Sequence, residues 1–130
     1  MVISRLLTLA SALEAGAGAA LVVHPPTVAR LLLGADLSDS GIALGRIGGC
    51  GLLALGVACW PHAGESGNSI QVLQALLTYN LLVTLCLAWL GVTGALVGIL
   101  LWPAVMLHGV LTLLLARAWL GDAGRNRRTL

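Results

Sequence analysis

The stretch Ile70–Leu90, IQVLQALLTYNLLVTLCLAWL, decides the fold, because its 21 residues include no charged side chain. A helix needs about 20 predominantly apolar residues to cross the hydrocarbon core of a bilayer. No water reaches that core, so a spanning segment must satisfy its own backbone hydrogen bonds, as a helix does. The stretch therefore predicts a transmembrane helix.

Three further apolar stretches flank this one. Together the predicted spans cover about residues 4–23, 40–60, 70–90 and 92–118. The first could instead be a secretory signal, but Glu14 interrupts the apolar region that a signal peptide requires. We therefore predict an all-α fold, a single four-helix transmembrane bundle over residues 1–120, followed by a basic cytoplasmic tail over residues 121–130.

The composition excludes an ordinary soluble protein. Charged residues make up 9% of the 130 residues and the mean hydropathy is +0.99, whereas soluble chains carry roughly 25% charged residues. So few charges cannot cover the surface of a soluble globule, and we expect the lipid bilayer to cover most of it. The net charge of +2, with no basic stripe on a soluble face, also argues against a nucleic-acid partner.

Proline and glycine separate the predicted helices. Pro25 and Pro26 end the first helix, because proline cannot continue its hydrogen-bond ladder. The stretch Thr27–Leu33 then predicts a short interfacial helix between helices 1 and 2, closed by Gly34. Gly91–Gly94 predicts a tight hairpin between the third and fourth spans.

Arginine and tryptophan placement predicts the orientation. Arginine concentrates in cytoplasmic loops, and with both termini cytoplasmic most of the arginines lie inside: Arg5, Arg117, Arg125, Arg127 and Arg128. Trp60 and Trp119 then fall at the inner boundary and Trp89 at the outer one, as interfacial tryptophans prefer. Trp102 is expected well inside the fourth span, as an exception.

Small residues recur within the spans at the spacing of helix contacts. Helices in lipid associate through close backbone approach, which small residues permit. The candidate packing positions are Gly16, Gly41, Gly45, Gly49, Gly94 and Gly98. Gly41, Gly45 and Gly49 recur every four residues and so share one face of the second helix. Two interpretations stay open: contacts within the bundle, or a face kept for another subunit.

Five polar side chains lie where lipid should exclude them: Glu14, Arg46, Tyr79, Asn80 and His108. A charge at the centre of a bilayer costs about 2.5–3.5 kcal/mol on insertion scales, so such residues should face inward and pair. Counted along the spans, all except Arg46 fall at nearly one depth, and Arg46 falls about a turn higher. We therefore predict a central ion pair between Glu14 and Arg46, with the other three completing the hydrogen bonds.

This polar cluster has two interpretations. It is either a closed network that fixes the helix register, or a site for a solute, a quinone, a lipid or protons. Its near balance of charge favours the first. Pro103 favours the second, since a proline kink beside Trp102 would open space near His108.

The sequence offers no catalytic or cofactor motif. No nucleophile–base pattern, phosphate loop or zinc motif is readable, so we predict neither an enzyme nor a metal site. Haem ligation by two histidines requires both at one depth on facing helices. His24, His62 and His108 lie at different depths, which leaves open only a haem held by His108 alone. No cofactor is predicted.

Three segments carry a resemblance: Leu44–Trp60 (LGRIGGCGLLALGVACW), Leu77–Leu82 with its Tyr79–Asn80 pair, and Leu101–His108 (LWPAVMLH). They resemble a group of small uncharacterised four-helix proteins of the bacterial inner membrane. The resemblance covers most of the chain and implies a multi-pass protein of the bacterial cytoplasmic membrane. It implies no established activity, so it transfers no catalytic residue.

Together these observations predict a non-enzymatic accessory or structural subunit that associates with itself or with a larger membrane complex. One alternative is a small carrier or channel that uses Glu14, Arg46, Asn80 and His108. A weaker alternative is a quinone- or haem-binding membrane subunit. A water-lined cavity that reaches Glu14 would favour transport, whereas a dry bundle with a glycine-lined outer face would favour a subunit.

Overall fold

The computed structural model describes residues 2–61 and 69–126, and these form five helices and no strand. The helices are α1 (Val2–Val23), α2 (Pro25–Leu33), α3 (Asp39–Ala58), α4 (Ser69–Thr93) and α5 (Leu101–Asn126). All except α2 are long and apolar enough to cross a membrane. The predicted all-α fold, with four spans and a short helix after the first, is confirmed. The chain is a small multi-pass integral membrane protein.

A histidine cap and two prolines set the start of α2. The His24 Nδ1 accepts a hydrogen bond from the backbone N–H of Thr27 at 3.3 Å. Pro25 and Pro26 occupy the first turn, where a helix leaves its N–H groups without intrahelical partners. The short helix therefore begins at Pro25 rather than at Thr27. Gly34 ends it with a φ of 68°, which glycine adopts without a steric penalty.

The connection between α4 and α5 differs from the prediction. A tight hairpin at Gly91–Gly94 is wrong, because α4 continues to Thr93 and α5 begins only at Leu101. Residues 94–100 between them are mostly apolar, so hydropathy does not distinguish them from the start of a span. The last helix extends to Asn126, and residues 127–130 of the predicted tail lie outside the described residues.

The segment 94–100 is hydrogen-bonded to the end of α2. The backbone N–H of Gly98 donates to the Leu32 carbonyl at 3.1 Å, and that of Leu100 donates to the Leu31 carbonyl at 2.8 Å. A Cβ on Gly98 would clash with the Leu31 carbonyl, so glycine permits this approach. The bonds satisfy carbonyl groups that the end of a helix leaves without partners. They also join the α1–α3 half to the α4–α5 half at one face of the membrane.

Trp102 and Pro103 lie in the first turn of α5, at the boundary of the span rather than inside it. Trp102 thus joins Trp89 at one end of the bundle, whereas Trp60 and Trp119 lie at the opposite end, so no tryptophan departs from interfacial placement. Pro103 also breaks no helical hydrogen bond, because N–H groups of the first turn have no intrahelical acceptor. The predicted exception and the predicted kink are both wrong.

Glycine lets α1 and α3 pack backbone to backbone. A Cβ on Gly49 would lie 2.8 Å from the carbonyl oxygen of Gly18, and one on Gly56 would lie 2.6 Å from the backbone nitrogen of Ala15. Such distances are too short for a real Cβ, so only glycine fits this interface. Among the described helices, α3 touches α1 and α2 alone, whereas α4 and α5 pack on each other and on α1. The central helix is therefore α1.

Contacts with another helix account for three of the six predicted packing glycines, Gly45, Gly49 and Gly98, whereas a Cβ on Gly41 would meet only Leu37 and Ser38, a turn earlier in the chain. An added Cβ on Gly16 or Gly94 would meet no heavy atom within 4 Å. Gly18 is absent from the predicted set, because Ala15–Ala20 are all small residues and their pattern does not reveal which of them faces α3.

The apolar core lies toward the end of the bundle at which α1 begins. Its buried members lie on α1, α4 and α5 and, in one case, at the residue that follows α3: Leu7, Ala10, Leu73, Leu76, Leu111, Leu115 and Cys59. The Ser11 hydroxyl donates to the Cys59 carbonyl at 2.8 Å and so satisfies a group at the end of α3. This packed layer supports the buried polar residues that lie next to it along α1, α4 and α5.

Candidate functional site

Glu14 is a buried carboxyl group on α1, with 1% of its surface exposed. Its Oε1 accepts a hydrogen bond from the Asn80 amide nitrogen on α4 at 3.1 Å. The same nitrogen donates to the Leu76 carbonyl, one turn earlier, at 2.9 Å. Because a carbonyl oxygen only accepts hydrogen bonds, the Leu76 contact fixes which end of the Asn80 amide is the nitrogen.

His108 on α5 continues this chain of hydrogen bonds. Its Nδ1 lies 2.8 Å from the Asn80 Oδ1. The amide oxygen can only accept, so Nδ1 must carry a proton, and Nε2 of the neutral ring is then an acceptor. The His108 Nδ1 is 4.0 Å from the Glu14 Oε1. Asn80 therefore links two titratable groups that make no direct hydrogen bond at that distance.

Neighbouring side chains hold this network in place. Tyr79 is next to the Glu14 carboxyl, and its ring meets that of His108 edge to face, with centroids 6.3 Å apart and planes at 74°. Thr84 Oγ1 donates to the Asn80 carbonyl at 2.7 Å, and Thr112 Oγ1 donates to the His108 carbonyl at 2.8 Å. We call Glu14, Tyr79, Asn80 and His108 the polar network.

Arg46 does not belong to the polar network, and the predicted ion pair between Glu14 and Arg46 is wrong. The Arg46 side chain is exposed, and among the described residues the arginine that pairs with a carboxylate is Arg30, with Asp36. The charged group nearest to Glu14 would be His108, and only if both of its ring nitrogens carry protons. The Arg30–Asp36 pair is exposed and lies near the end of α2.

The register of α1 against α3 explains the separation of Glu14 and Arg46. The contacts of Gly56 with Ser11 and Ala15 place Glu14 beside the C-terminal end of α3. Gly45 contacts Pro25 at the other end of α1. Arg46 therefore lies about 14 Å from Glu14 along the helix axes, which no side chain spans. Backbone contacts between glycines set this register, and hydropathy carries no information about it.

A groove of about 340 Å³ runs between α1 and α5 beside the polar network. Its lining consists of Ala12, Leu13, Glu14, Gly16, Ala17, Leu107 and His108. Ala12, Gly16, Ala17 and Leu107 are exposed on the outer surface of spanning helices. The groove therefore opens sideways toward lipid, with Glu14 and His108 as its polar groups. Among the apolar lining residues, only Gly16 was singled out from the sequence, and it was predicted as a packing position. Small residues on α1 do not by themselves indicate a cavity.

The described residues contain no group of three or more His, Cys, Asp or Glu side chains that could hold a metal ion. His62 lies outside them. A haem held by His108 alone, which the sequence left open, is not tested by the structure. Any such ligand would have to use Nε2, because Nδ1 is bonded to Asn80.

Comparisons with protein-family models, curated proteins and solved structures give no match. The function must therefore be argued from the geometry of the site.

Proposed function

We propose that the chain is a small non-enzymatic binding protein of the membrane, which takes a ligand from the lipid phase into the groove between α1 and α5. One observation carries the proposal: a buried carboxyl group that no arginine among the described residues reaches lines a cavity that opens toward lipid. Apolar cavities with a few convergent polar groups are the usual form of small-molecule sites. Ionisable groups inside a membrane most often serve a function.

Glu14 and Arg46 do not form the predicted pair, and this favours binding over a purely structural role. A closed ion pair would have neutralised the carboxyl group and left nothing for a ligand to complete. Asn80 instead supplies one neutral hydrogen bond to Glu14, and His108 Nε2 is still free of the network. The site thus keeps hydrogen-bonding groups that the fold itself does not use.

The groove's direction of opening argues for a ligand that is already dissolved in the bilayer. Its exposed lining residues lie on membrane-spanning stretches of α1 and α5 rather than on loops. A molecule in the lipid phase can reach Ala17 or Leu107 directly. A carrier or channel would need a path to water on both sides, so it is the less supported alternative.

An accessory subunit is a second candidate, favoured by the outer face of α3. This helix contacts α1 and α2 alone among the described helices and exposes small residues: Cys50, Gly51, Ala54 and Ala58. Such residues allow another helix to approach closely. Two glycines of the predicted face, Gly45 and Gly49, pack against Pro25 and α1, so association would use the opposite side of α3. Cross-linking through Cys50 in native membranes tests this: a disulfide-linked dimer supports it.

For the location we propose the bacterial inner membrane, with both termini cytoplasmic. Arg5 and Arg117 lie at the end of the bundle where the chain begins, and cytoplasmic segments are enriched in arginine. Trp102 and Trp89 would then mark the outer interface.

The experiment compares lipophilic compounds that co-purify with two matched variants from native membranes. Ala17→Trp fills the groove, whereas Ala75→Trp adds the same side chain at an exposed position on α4. We expect mass spectrometry of extracts, at equal protein and phospholipid, to find a compound enriched with the wild type and with Ala75→Trp. Ala17→Trp should lose it. Identical extracts from all three proteins would contradict the proposal.

A further inference from the structure

Among the described residues, no arginine lies beside Glu14, and His108 is the one neighbour that could become a cation. Asn80 is neutral, and the structure gives His108 a protonated Nδ1 without requiring a second ring proton. Tyr79 on α4 and Cys59 at the end of α3 are the other titratable neighbours, and neither becomes a cation. An ionised carboxyl group removed from water without a counter-charge is strongly unfavourable. With His108 neutral, Glu14 therefore needs either a proton or a cationic ligand.

The hydrogen-bonding capacity of the groove points the same way. A carboxylate only accepts hydrogen bonds, and the Nε2 of His108 accepts as well, because Nδ1 holds the ring proton. Once Glu14 is ionised, both polar groups of the groove therefore accept hydrogen bonds and require a donor. A ligand with N–H groups on a positive centre satisfies both the charge of Glu14 and the lone pair of His108.

The apolar lining decides which cations fit. Ala12, Leu13, Ala17 and Leu107 contribute no oxygen ligand, so a hydrated metal ion would lose its water shell without replacement. A cation that carries an alkyl or aryl group keeps that group in the groove and in the adjoining lipid. An anion would meet like charge at an ionised Glu14, and a neutral molecule would leave Glu14 protonated and so make no use of its charge.

We propose, building on the proposed function, that the groove binds a lipophilic amine whose ammonium group lies against Glu14. In the empty site a proton neutralises Glu14, and the ligand cation replaces it, so one proton leaves for each cation that binds. The total charge of the site is the same before and after the exchange. Binding of the cation and binding of the proton are then mutually exclusive.

Three probes with the same twelve-carbon chain test the ligand class: dodecylamine, dodecyltrimethylammonium and 1-dodecanol. Each is titrated calorimetrically into the protein in lipid nanodiscs, with empty nanodiscs as background. We expect one saturable site for dodecylamine, weaker binding of dodecyltrimethylammonium, which has the charge but no N–H group, and no binding of 1-dodecanol above background. Glu14→Gln should weaken dodecylamine roughly a hundredfold, because the counter-charge is gone.

The pH dependence in the wild-type protein provides a test that does not depend on whether Glu14→Gln folds. Dodecyltrimethylammonium keeps its charge at every pH, so any change in its affinity comes from the protein. Its affinity should fall as the pH is lowered, approaching tenfold per pH unit where Glu14 holds its proton, and a proton should be released on binding. Protonation of His108 would act in the same direction.

The outcomes separate this inference from the function on which it rests. If 1-dodecanol binds as tightly as dodecylamine, or if the co-purifying compound is neutral, the groove is a binding site but the inference of a cationic ligand is wrong. An affinity for dodecyltrimethylammonium that does not change with pH also overturns the exchange of cation for proton. If no probe binds and nothing co-purifies, both proposals fail.

Discussion

The amide of Asn80 orients the imidazole of His108. Its oxygen lies 2.8 Å from the His108 Nδ1, while its nitrogen is committed to the Leu76 carbonyl and the Glu14 carboxyl group. This arrangement assigns the proton of Nδ1, because the amide oxygen has none to give. One side chain on α4 therefore sets the hydrogen-bonding state of a residue on α5 and contacts the carboxyl group on α1.

Removal of this amide should destabilise the bundle. Asn80→Leu removes the amide partner of the Glu14 carboxyl group and of the His108 Nδ1, and each buried unsatisfied group costs about 1–3 kcal/mol. We expect a loss of about 2–4 kcal/mol in the free energy of unfolding, measured by denaturation in mixed micelles. Gln74→Leu removes an exposed amide from the same helix and should change it by less than about 0.5 kcal/mol. Similar losses in both variants would argue against the network.

The glycine contacts between α1 and α3 give a matched pair of substitutions on one helix. Gly49→Ala places a Cβ 2.8 Å from the Gly18 carbonyl oxygen, whereas a Cβ on Gly51 meets no heavy atom within 4 Å. We expect Gly49→Ala to lower the free energy of unfolding by about 1–3 kcal/mol. Gly51→Ala should raise it by up to about 1 kcal/mol, since alanine favours a helix. Equal effects in the same denaturation assay would place the interface elsewhere.

Glu14 and Arg46 should behave as independent sites. Sites more than about 7–10 Å apart with no shared partner usually give additive effects. In a double-mutant cycle of Glu14→Gln and Arg46→Met, we expect a coupling energy below about 0.5 kcal/mol in thermal unfolding. A coupling above about 1 kcal/mol would show that the two charges interact after all.

The proposed orientation can be tested by cysteine labelling. After replacement of Cys50, Cys59 and Cys86 by alanine, single cysteines at Ser38 and Ser66 should report opposite sides of the membrane. We expect Ser38→Cys to react with an impermeant maleimide from the periplasmic side, and Ser66→Cys to react only after the membrane is opened. The reverse pattern would invert the topology.

The sequence was sufficient to predict the features that depend only on residues within one helix. Runs such as Ile70–Leu90 are apolar over the thickness of a bilayer, so hydropathy alone predicts four spans. Counting residues along those spans predicted a common depth for Glu14, Asn80 and His108, which the structure joins by hydrogen bonds. Because these residues lie near the centres of their helices, the predicted depth changes little when the predicted helix ends are wrong by a few residues.

Features that depend on contacts between helices could not be predicted in the same way. Arg46 lies far from Glu14 because Gly18, Gly49 and Gly56 set the register of α1 against α3. The sequence shows that a residue is small but not which helix it contacts. The segment 94–100 is apolar but hydrogen-bonds to α2 by its backbone, so its composition resembles a span although its structure does not. The groove depends on the positions of α1 and α5 relative to each other.

The separation of the two tryptophans of α5 indicates the thickness of bilayer that the protein fits. Trp102 and Trp119 are separated by 17 positions, which correspond to about 26 Å along a straight helix and to less if the helix tilts. The hydrocarbon core of a typical bilayer is about 30 Å thick, and a mismatch forces the lipid to thin or the helix ends to leave the interface. The protein should therefore be most stable in lipids with shorter acyl chains, and bilayer thickness would help to select the membrane in which it resides.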